Sequence, residues 1–319
     1  MDLPILTKQD FDEIRALTTT QLTPFPDEFS PDQRRSGIWA TDARKIAGGR
    51  AAEVYLEKVG LKEREDLGAN EAAQWGLKLQ DVIGREVSNR LKVELKEADY
   101  QMTHPKHRWM KSHFDFITAD GKTLVEVKNY NQMKRNLFDN RVMPLEDRAQ
   151  CIHETAVHNV SRIILAVLFG GQELVLIDSQ VTEEEKEELI KTEAELWAAI
   201  QAKSPPQPNS PESARLLWPT SDETTLVANQ PVEQACSQLR QIKDQIKRLE
   251  EQESKLAAAI QGTMQNAGTL LSIDGKVLAT WHYARGSRRF DQENFKRQHP
   301  AMFEVFCTDT KGSRRFLVK

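Results

Sequence analysis

A continuous apolar run, RIILAVLF at residues 162–169, constrains the fold more than any other part of this sequence. The Gly170-Gly171 pair and a second apolar run follow it, which is the pattern of two strands joined by a tight turn. Because polar residues do not alternate with apolar ones in the first run, its strand must be covered on both faces. The run therefore predicts a central strand of a sheet.

Helices are predicted on the N-terminal side of this strand pair. Thr41 is a candidate N-cap of a helix that breaks near Gly48-Gly49, and Asn70 is a candidate N-cap of a longer helix over residues 71–92. Apolar residues at helical spacing predict the buried stripe of the longer helix: Trp75, Leu79, Val82 and Ile83.

The remaining elements complete an alternating order. Strands are predicted near residues 93–95 and over residues 108–117, followed by the second strand of a hairpin and a helix near residues 146–159. Thr182 and Glu185 form a capping box at the start of an amphipathic helix. This order predicts an α/β fold with a mixed central β-sheet flanked by helices.

The hairpin, FDFITADGKTLVEVKNYN at residues 114–131, is predicted from its Asp120-Gly121 turn. Such a pair favours a type I′ turn, in which both central residues have positive φ. With these two residues as the turn, Asp115 lies directly opposite Glu126. Side chains alternate along a strand, so Glu126 and Lys128 share one face.

Two carboxylates that face each other across a ladder destabilise it unless something compensates their charge. Oxygen ligands suit Mg²⁺ or Mn²⁺, so Asp115 and Glu126 are candidate ligands of a divalent cation. The alternative is that Glu126 and Lys128 form an ordinary solvated ion pair on an exposed sheet face.

Composition limits the classes of protein to which the chain can belong. It has 319 residues, 39% of them hydrophobic and 29% charged, with a net charge of −4, so a nucleic-acid contact must come from local basic patches. Its three cysteines have no metal-ligand spacing, which favours a reducing compartment. The sequence contains no signal-peptide pattern and no apolar run near 18 residues, so we expect a cytoplasmic protein without membrane contact.

Changes in composition predict four segments. Residues 1–33 form an N-terminal extension, residues 34–201 a folded domain, residues 202–223 a Pro- and Ser-rich linker, and residues 224–319 a helical and β-rich C-terminal region. In the last of these, apolar residues follow a heptad pattern: Val232, Ala235, Leu239, Ile242, Ile246, Leu249, Leu256 and Ile260. A coiled coil, a helical hairpin and a single long helix packed on its own domain all fit this pattern.

The C-terminal tail is basic although the chain as a whole is acidic. From residue 276 onward there are ten Lys or Arg and four Asp or Glu residues, and aromatic residues alternate with the bases. Phosphate neutralisation and base stacking would use such a pattern, with Arg288 and Arg289 as candidate DNA contacts. The alternative is a solvated strand face with Trp281, Phe290 and Phe295 in a core.

Several motifs in a fixed order resemble those of the YqaJ-like viral recombinase family, the phage alkaline exonucleases related to lambda exonuclease within the PD-(D/E)xK nuclease superfamily. The motifs are RSGIWATDARKIAG, NEAAQWGLKLQD, FDF with VEVK, AQCIHETAVHNV and LAVLFGGQELVLI. The resemblance covers residues 35–178 and resumes in the C-terminal region. It implies a restriction-endonuclease-like core.

The resemblance also implies roles for the matching residues. Asp115 and Glu126 would bind Mg²⁺ or Mn²⁺ together with the Val127 carbonyl, and Lys128 would position or activate the attacking water. Gln150 would orient groups near the site. Arg34 or Arg35 would hold a DNA phosphate.

One position departs from the family pattern. Gln80 stands where a glutamate is usual, and the neighbouring Asp81 points about 100° away on a helix, so it is a doubtful substitute. His153 lies one turn from Gln150 and is either a site residue or a packed core histidine.

The function that the resemblance implies is a metal-dependent exonuclease acting on ends of double-stranded DNA. It would resect 5′ strands for a single-strand annealing protein, in a phage or prophage within a bacterial host, and trimers occur among relatives. A DNA-binding scaffold with a degenerate site, because of Gln80, and a related endonuclease are the alternatives.

Overall fold

The computed structural model describes residues 31–63, 70–97, 101–222, 224–310 and 312–319. Residues 1–30 of the predicted N-terminal extension lie outside these ranges. The chain divides into two compact units, Met1–Trp218 and Pro219–Lys319.

The described helices and strands of the first unit are numbered here in chain order. The helices are α1 (Pro31–Arg35), α2 (Ala40–Ala47), α3 (Ala51–Lys58), α4 (Glu71–Leu91), α5 (Leu145–His158), α6 (Glu183–Gln201) and α7 (Pro211–Leu217), with a 3-10 segment at Gln132–Arg141. The strands are β1 (Ile38–Trp39), β2 (Leu95–Glu97), β3 (Met102–Thr103), β4 (Met110–Ser112), β5 (Phe116–Thr118), β6 (Thr123–Tyr130), β7 (Arg162–Phe169) and β8 (Glu173–Gln180).

A five-stranded mixed sheet forms the centre of this unit, in the order β2-β5-β6-β7-β8. The β6 and β7 strands are parallel, and the other neighbours are antiparallel. Residues 163–167 of β7 are buried on both faces of the sheet. The predicted fold class, a mixed sheet flanked by helices, is confirmed.

The two faces of the sheet carry different layers. On one face, Ile83 and Val87 of α4 pack against Val125 and Val127 of β6. On the other face, the α5 residues Cys151 and Ile152 are clustered with Leu124 and with apolar residues of β7. Because Glu126 lies between Val125 and Val127 in β6, its side chain lies on the α5 side of the sheet.

Helix α4 approaches the sheet through a glycine. A Cβ placed on Gly84 would lie 2.4 Å from Cζ of Phe116, so any other residue there would require the ring or the helix to shift. The predicted buried stripe is wrong for Trp75 and Val82, which are 49% and 52% exposed. The prediction is confirmed for Ile83, which is buried, and Leu79 packs beside it, while Val87 completes the buried stripe.

The predicted strand over residues 108–117 is two strands in two sheets. The β4 strand belongs to a small sheet in the order β1-β4-β3, and β5 belongs to the large sheet. The chain crosses from one sheet to the other between Ser112 and Phe116. Asp115 therefore lies in the crossing, directly before the hairpin.

Helix caps agree with the sequence in two cases and differ in one. The Asn70 side chain accepts a hydrogen bond from the Ala73 amide, and the capping box of Thr182 and Glu185 is formed, both as predicted. Thr41 is not an N-cap, because α2 begins one residue earlier and the Asp42 carboxylate accepts from the Trp39 amide at 2.9 Å.

The predicted linker, residues 202–223, is not extended over its whole length. Helix α7 lies within it, and Leu217 is packed with the cluster of Ile38 and Val54. The Asn209 side chain donates to the Gly49 carbonyl at 3.0 Å. The boundary between the two units follows directly after this helix.

The second unit contains a long helix and a small hairpin. Its elements are α8 (Gln230–Met264), β9 (Thr269–Leu271), β10 (Val277–Thr280), α9 (Gln292–Gln298) and α10 (Pro300–Val305). The hairpin around Asp274-Gly275 is confirmed, with β9 and β10 antiparallel. Trp281 and Phe290 are 48% and 71% exposed, so the alternative that placed them in a core is wrong.

Among the described residues, no helix combines the length and the apolar character that a membrane span requires.

Candidate active site

The hairpin has the predicted register but a different turn. Phe116 pairs with Val125 and Ile117 with Leu124. Of the two predicted turn residues, only Gly121 has a positive φ, 71°, so the turn is not type I′. The Thr118 hydroxyl stabilises the turn. It donates a hydrogen bond to Asp120 Oδ1 at 2.6 Å and accepts one from the Thr123 amide at 3.1 Å.

Asp115 stands just beyond the last ladder pair. Its carboxylate accepts a hydrogen bond from the Val127 amide at 2.7 Å, which ties the crossing segment to β6. Burial raises the pKa of Asp115 well above its ordinary value, and the charge of Glu126 raises it further. The two carboxyl groups are close enough to hydrogen bond. The predicted opposition of Asp115 and Glu126 is thus present in the structure.

Glu126 is buried and accepts from two donors on the α5 side of the sheet. Lys128 Nζ and Gln150 Nε2 each lie 2.5 Å from its Oε1. Burial lowers the pKa of Lys128, but the nearby Glu126, Tyr130 and Asp115 outweigh it, so the pKa is raised. Lys128 is therefore held as an ammonium group that donates. The solvated ion pair on an exposed face is excluded, because Glu126 is buried.

A third carboxyl group, which the sequence analysis missed, lies behind Gln150. Glu154 is 0% exposed, and its Oε1 accepts from Gln150 Nε2 at 2.9 Å. Its Oε2 and Gln150 Oε1 are buried without a hydrogen-bond partner among the described residues. Burial, then Glu126, raises the pKa of Glu154 well above its ordinary value. The spacing of four residues from Gln150 was the available signal, because such residues share a helix face.

A second polar cluster adjoins Lys128 and was also missed. Tyr130, two residues further on β6, donates from its hydroxyl to Asp147 Oδ1 at 2.6 Å. Arg44 donates to both the Tyr130 hydroxyl and Asp147 Oδ1, at 2.5 Å each. Burial and the Asp147 charge raise the pKa of Tyr130, so its hydroxyl keeps its proton. The cluster ties α2 and α5 to the end of β6.

His153 has partners that account for its burial. Its Nδ1 lies 2.9 Å from Glu193 Oε1 on α6, and its Nε2 lies 2.9 Å from the Lys111 carbonyl. Burial lowers the pKa of His153, but Glu193 and the carbonyl outweigh it and raise the pKa. Both ring nitrogens face acceptors, so a protonated imidazole that donates twice fits this position. Of the two alternatives, the packed core histidine fits the structure.

The two candidate arginines near the N-terminus differ in environment. The Arg34 guanidinium lies 4.5 Å from the centre of the Trp39 ring, in a cation–π contact. Arg35 lies on the surface, with its side chain 3.6 Å from Asp32 in an exposed ion pair. Arg35 is therefore the more accessible of the two for a phosphate.

Gln80 and Asp81 lie on α4, which packs against the face of the sheet opposite to the Glu126 side chain. Gln80 is partly exposed, and Asp81 is exposed in an i,i+4 pair with Arg85 at 3.6 Å. Asp81 is therefore paired on the exposed side of α4, as expected for a residue that points about 100° away from Gln80 on a helix, and it does not substitute for the missing glutamate.

Arg288 and Arg289 lie in the second unit, in exposed chain without regular structure. Their role in DNA binding stays a prediction.

The donor atoms at the hairpin fit a hard divalent cation. No three His, Cys, Asp or Glu side chains in the described part of the chain are arranged to hold a metal ion. Asp115 and Glu126 are two carboxylates whose mutual repulsion a cation would relieve. Mg²⁺ is commonly bound through one or two carboxylates, keeping several waters or substrate oxygens as its other ligands. Two carboxylates at this position are therefore sufficient protein ligands for Mg²⁺ or Mn²⁺.

Comparison with known proteins supports the family resemblance. The YqaJ-like viral recombinase domain matches residues 31–161. The uncharacterized protein YqaJ of Bacillus subtilis strain 168 is 24% identical over 302 residues, which are 90% of this chain and 92% of that protein.

Solved structures with a weaker likeness include two nucleases. An alkaline exonuclease from Laribacter hongkongensis, LHK-Exo, has a TM-score of 0.46 and 15% identity over 53% of this chain and 90% of that one. A phage-related exonuclease from Haemophilus somnus 129PT has a TM-score of 0.35 and 11% identity over 50% of this chain and 80% of that one.

Proposed function

We propose that the chain, whose residues 31–161 match the YqaJ-like viral recombinase domain, is a metal-dependent nuclease of that kind, which hydrolyses double-stranded DNA from its ends. One observation carries this proposal: Asp115 and Glu126 are held together with Lys128 at a hairpin end, with no protein cation besides Lys128 hydrogen-bonded to them in the described residues.

The residues of the site divide the work of phosphodiester hydrolysis. A divalent cation at Asp115 and Glu126 would neutralise phosphate charge and lower the pKa of a bound water. The Lys128 ammonium is positioned to stabilise negative charge that develops on the phosphate. Gln150 holds the Glu126 carboxylate in place through its amide, and Glu154 holds the amide in turn.

The finer features of the function follow from the family resemblance. We propose resection of the 5′ strand, which leaves 3′ overhangs for a single-strand annealing protein of a phage or prophage. Arg35 on the surface would contact a phosphate of the DNA end. Trimers occur among relatives, but the heptad pattern at residues 232–260 of this chain favours another assembly.

Digestion of an end-labelled linear duplex tests the proposal. We expect loss of the duplex with Mg²⁺ and none with EDTA, and no cleavage by Glu126→Gln, which removes one ligand charge at constant shape. Glu187→Gln, a change at an exposed position of α6, is the matched control and keeps full activity. Absence of Mg²⁺-dependent cleavage by the unchanged protein would overturn the proposal.

The label also reports the mode of cleavage. A 5′ label released first as mononucleotide supports 5′ resection, whereas release from the 3′ label contradicts that polarity. Cleavage of a closed circular plasmid would instead support an endonuclease, since an exonuclease requires an end.

The neutral Gln80 favours a second candidate, a DNA-binding scaffold with a weakened site. Gln80→Glu would restore the charge that the family pattern has at this position. A large gain in cleavage over an inactive parent supports the scaffold, whereas strong activity of the unchanged chain that Gln80→Glu does not alter excludes it.

A further inference from the structure

Helix α8 presents an unpaired apolar stripe along its length. The helix has 35 residues, about 50 Å at 1.5 Å per residue. Six large apolar side chains of the helix are between 44% and 66% exposed: Val232, Ile242, Ile246, Leu249, Leu256 and Ile260. Leu239 is partly buried and Met264, the last residue of the helix, is buried. A stripe this long on a single exposed helix is unfavourable in water unless another surface covers it.

The stripe has the spacing of a coiled coil. From Val232 to Thr263 the positions advance strictly by three and four residues, with Val232, Leu239, Ile246, Glu253 and Ile260 at a positions. The d positions are Ala235, Ile242, Leu249, Leu256 and Thr263. A strict seven-residue repeat over more than four heptads is the pattern of a left-handed supercoil, whereas a helix packed on a globular core follows 3.6 residues.

We propose that α8 binds α8 of a second copy of this chain, as an antiparallel two-stranded coiled coil that makes the protein a dimer. The polar residues in and beside the stripe indicate that the partner is a second α8 helix and that the two helices run antiparallel.

Glu253 determines the direction. In a parallel pair, the a positions meet each other, so two Glu253 carboxylates would face each other within an apolar seam. In an antiparallel pair with full overlap, Glu253 faces Ile242 of the second copy, and Lys243 of that copy follows directly. The two glutamates then lie about 16 Å apart along the helix axis, at 1.5 Å per residue, and each has a lysine within reach.

The flanking charges complement each other in the same register. Ile246 meets Leu249 of the second copy at the centre, and the two-fold axis makes this contact twice. Lys243 and Glu250 both occupy e positions, and e positions face e positions in an antiparallel pair. Lys243 therefore faces Glu250 of the second copy, twice per dimer. In a parallel pair each would face an uncharged glutamine, Gln238 or Gln245.

Sedimentation equilibrium of the full chain tests the association. We expect a mass of twice the 36.4 kDa chain, and Ile246→Glu should raise the dissociation constant by on the order of 100-fold because it buries two charges in the seam. Ala258→Glu, on the opposite side of the helix at an f position, is the matched control and leaves the dimer intact.

A charge-exchange cycle tests the direction. Lys243→Glu and Glu250→Lys should each weaken the dimer about tenfold, because each places like charges opposite at two contacts. The double variant should recover the original affinity, and only an antiparallel pair couples these two positions.

Each other result contradicts a defined part of the proposal. A monomeric full chain, or a dimer that Ile246→Glu does not weaken, overturns the α8 interface. A mass of three chains overturns the two-stranded assembly. Independent effects of the two charge changes overturn the antiparallel direction.

Discussion

Three buried or partly buried carboxyl groups, of Asp115, Glu126 and Glu154, share one ammonium group, that of Lys128, at the hairpin end. Buried charges without partners are strongly unfavourable, so the acids either keep protons or bind a cation. The raised pKa values of Asp115 and Glu154 have the same physical cause, which is burial reinforced by the neighbouring Glu126. The cation that we propose at this site would relieve the repulsion between these acids.

Asp115→Asn should stabilise the metal-free protein while it abolishes cleavage. The folded-state pKa of Asp115 is raised, so the folded state holds its proton longer than the unfolded state, and stability falls as pH rises above the ordinary value of 3.8. Asparagine removes this slope and keeps an acceptor for the Val127 amide. We expect a gain on the order of 1 kcal/mol near pH 8, measured by urea unfolding.

Mg²⁺ separates this effect from a general change in packing. The melting temperature of the unchanged protein should rise with Mg²⁺, as for any ligand of the folded state, and that of Asp115→Asn should not. A metal-free Asp115→Asn protein that is less stable than its parent would show that the two acids do not repel each other.

His153 predicts the same direction of pH dependence at a separate place and over a higher pH range. Its folded-state pKa is raised by Glu193, so its pairing contributes fully below about pH 6.5 and is lost as pH rises through the folded-state value. His153→Gln should cost about 3–5 kcal/mol at pH 6 and less at pH 9, measured by denaturant unfolding.

His158 on the same helix is the control for this prediction. Burial lowers its pKa, so the folded state resists its protonation and stability is lost as pH falls. His158→Gln should therefore increase the free energy of unfolding at acid pH. A loss in His153→Gln that does not change between pH 6 and pH 9 would mean that His153 is neutral in the folded protein.

At the level of elements, the site depends on how α4 and α5 hold the two faces of β6. Helix α5 supplies Gln150 and Glu154 on the side of Glu126, and α4 supplies apolar side chains on the other side. The contact of Gly84 with Phe116 sets how closely α4 approaches the hairpin.

Gly84→Ala should destabilise the protein although alanine favours helices. The new Cβ would lie 2.4 Å from the Phe116 ring, so the ring or the helix must move, at a cost of about 1–3 kcal/mol. Gly76→Ala on the same helix meets no atom within 4 Å and should stabilise by about 0.5–1 kcal/mol. Equal effects in urea unfolding would contradict the close contact.

The elements that sequence predicted are those specified by nearby residues. The hairpin register follows from its apolar alternation and its turn region, and the capping box of Thr182 and Glu185 follows from two side chains three residues apart. The prediction of one strand over residues 108–117 was wrong because β4 pairs with β1, and Ile38 of β1 is distant from Met110 in sequence. The buried stripe of α4 was right for Ile83 and wrong for Trp75 and Val82, because the rotation of the helix depends on its packing against distant residues such as Phe116.

For the whole molecule, the net charge is negative although the C-terminal tail is positively charged. The chain carries −4 overall, while residues 276–319 hold ten basic and four acidic residues. Tail residues such as Arg288 and Arg289 are exposed and can meet phosphates without a loss of buried contacts.

The double variant Arg288→Gln/Arg289→Gln should bind DNA more weakly than the unchanged protein. Its affinity for DNA should also depend less steeply on salt concentration. Each phosphate contact contributes about 0.9 to the slope of log affinity against log salt, so the slope should fall by about 2. Binding is measured in Asp115→Asn protein, which does not cleave. Lys191→Gln with Lys203→Gln removes the same charge at exposed positions of the first unit and is the control. An unchanged slope in the arginine variant would place the tail away from DNA.

The sequence by itself determined the features that follow from local periodicity and short spacing. These are the covered strand at residues 162–169, the hairpin register that opposes Asp115 and Glu126, the placing of Lys128 beside them, and the heptad stripe of α8. Only the tertiary structure decided the contacts between distant segments. It brought Glu154 behind Gln150 against β6, joined Arg44 to Tyr130 and Asp147, and gave His153 the partner Glu193. Side-chain partners across elements depend on helix rotation and sheet crossing, and a single sequence does not fix either, because each is set by packing.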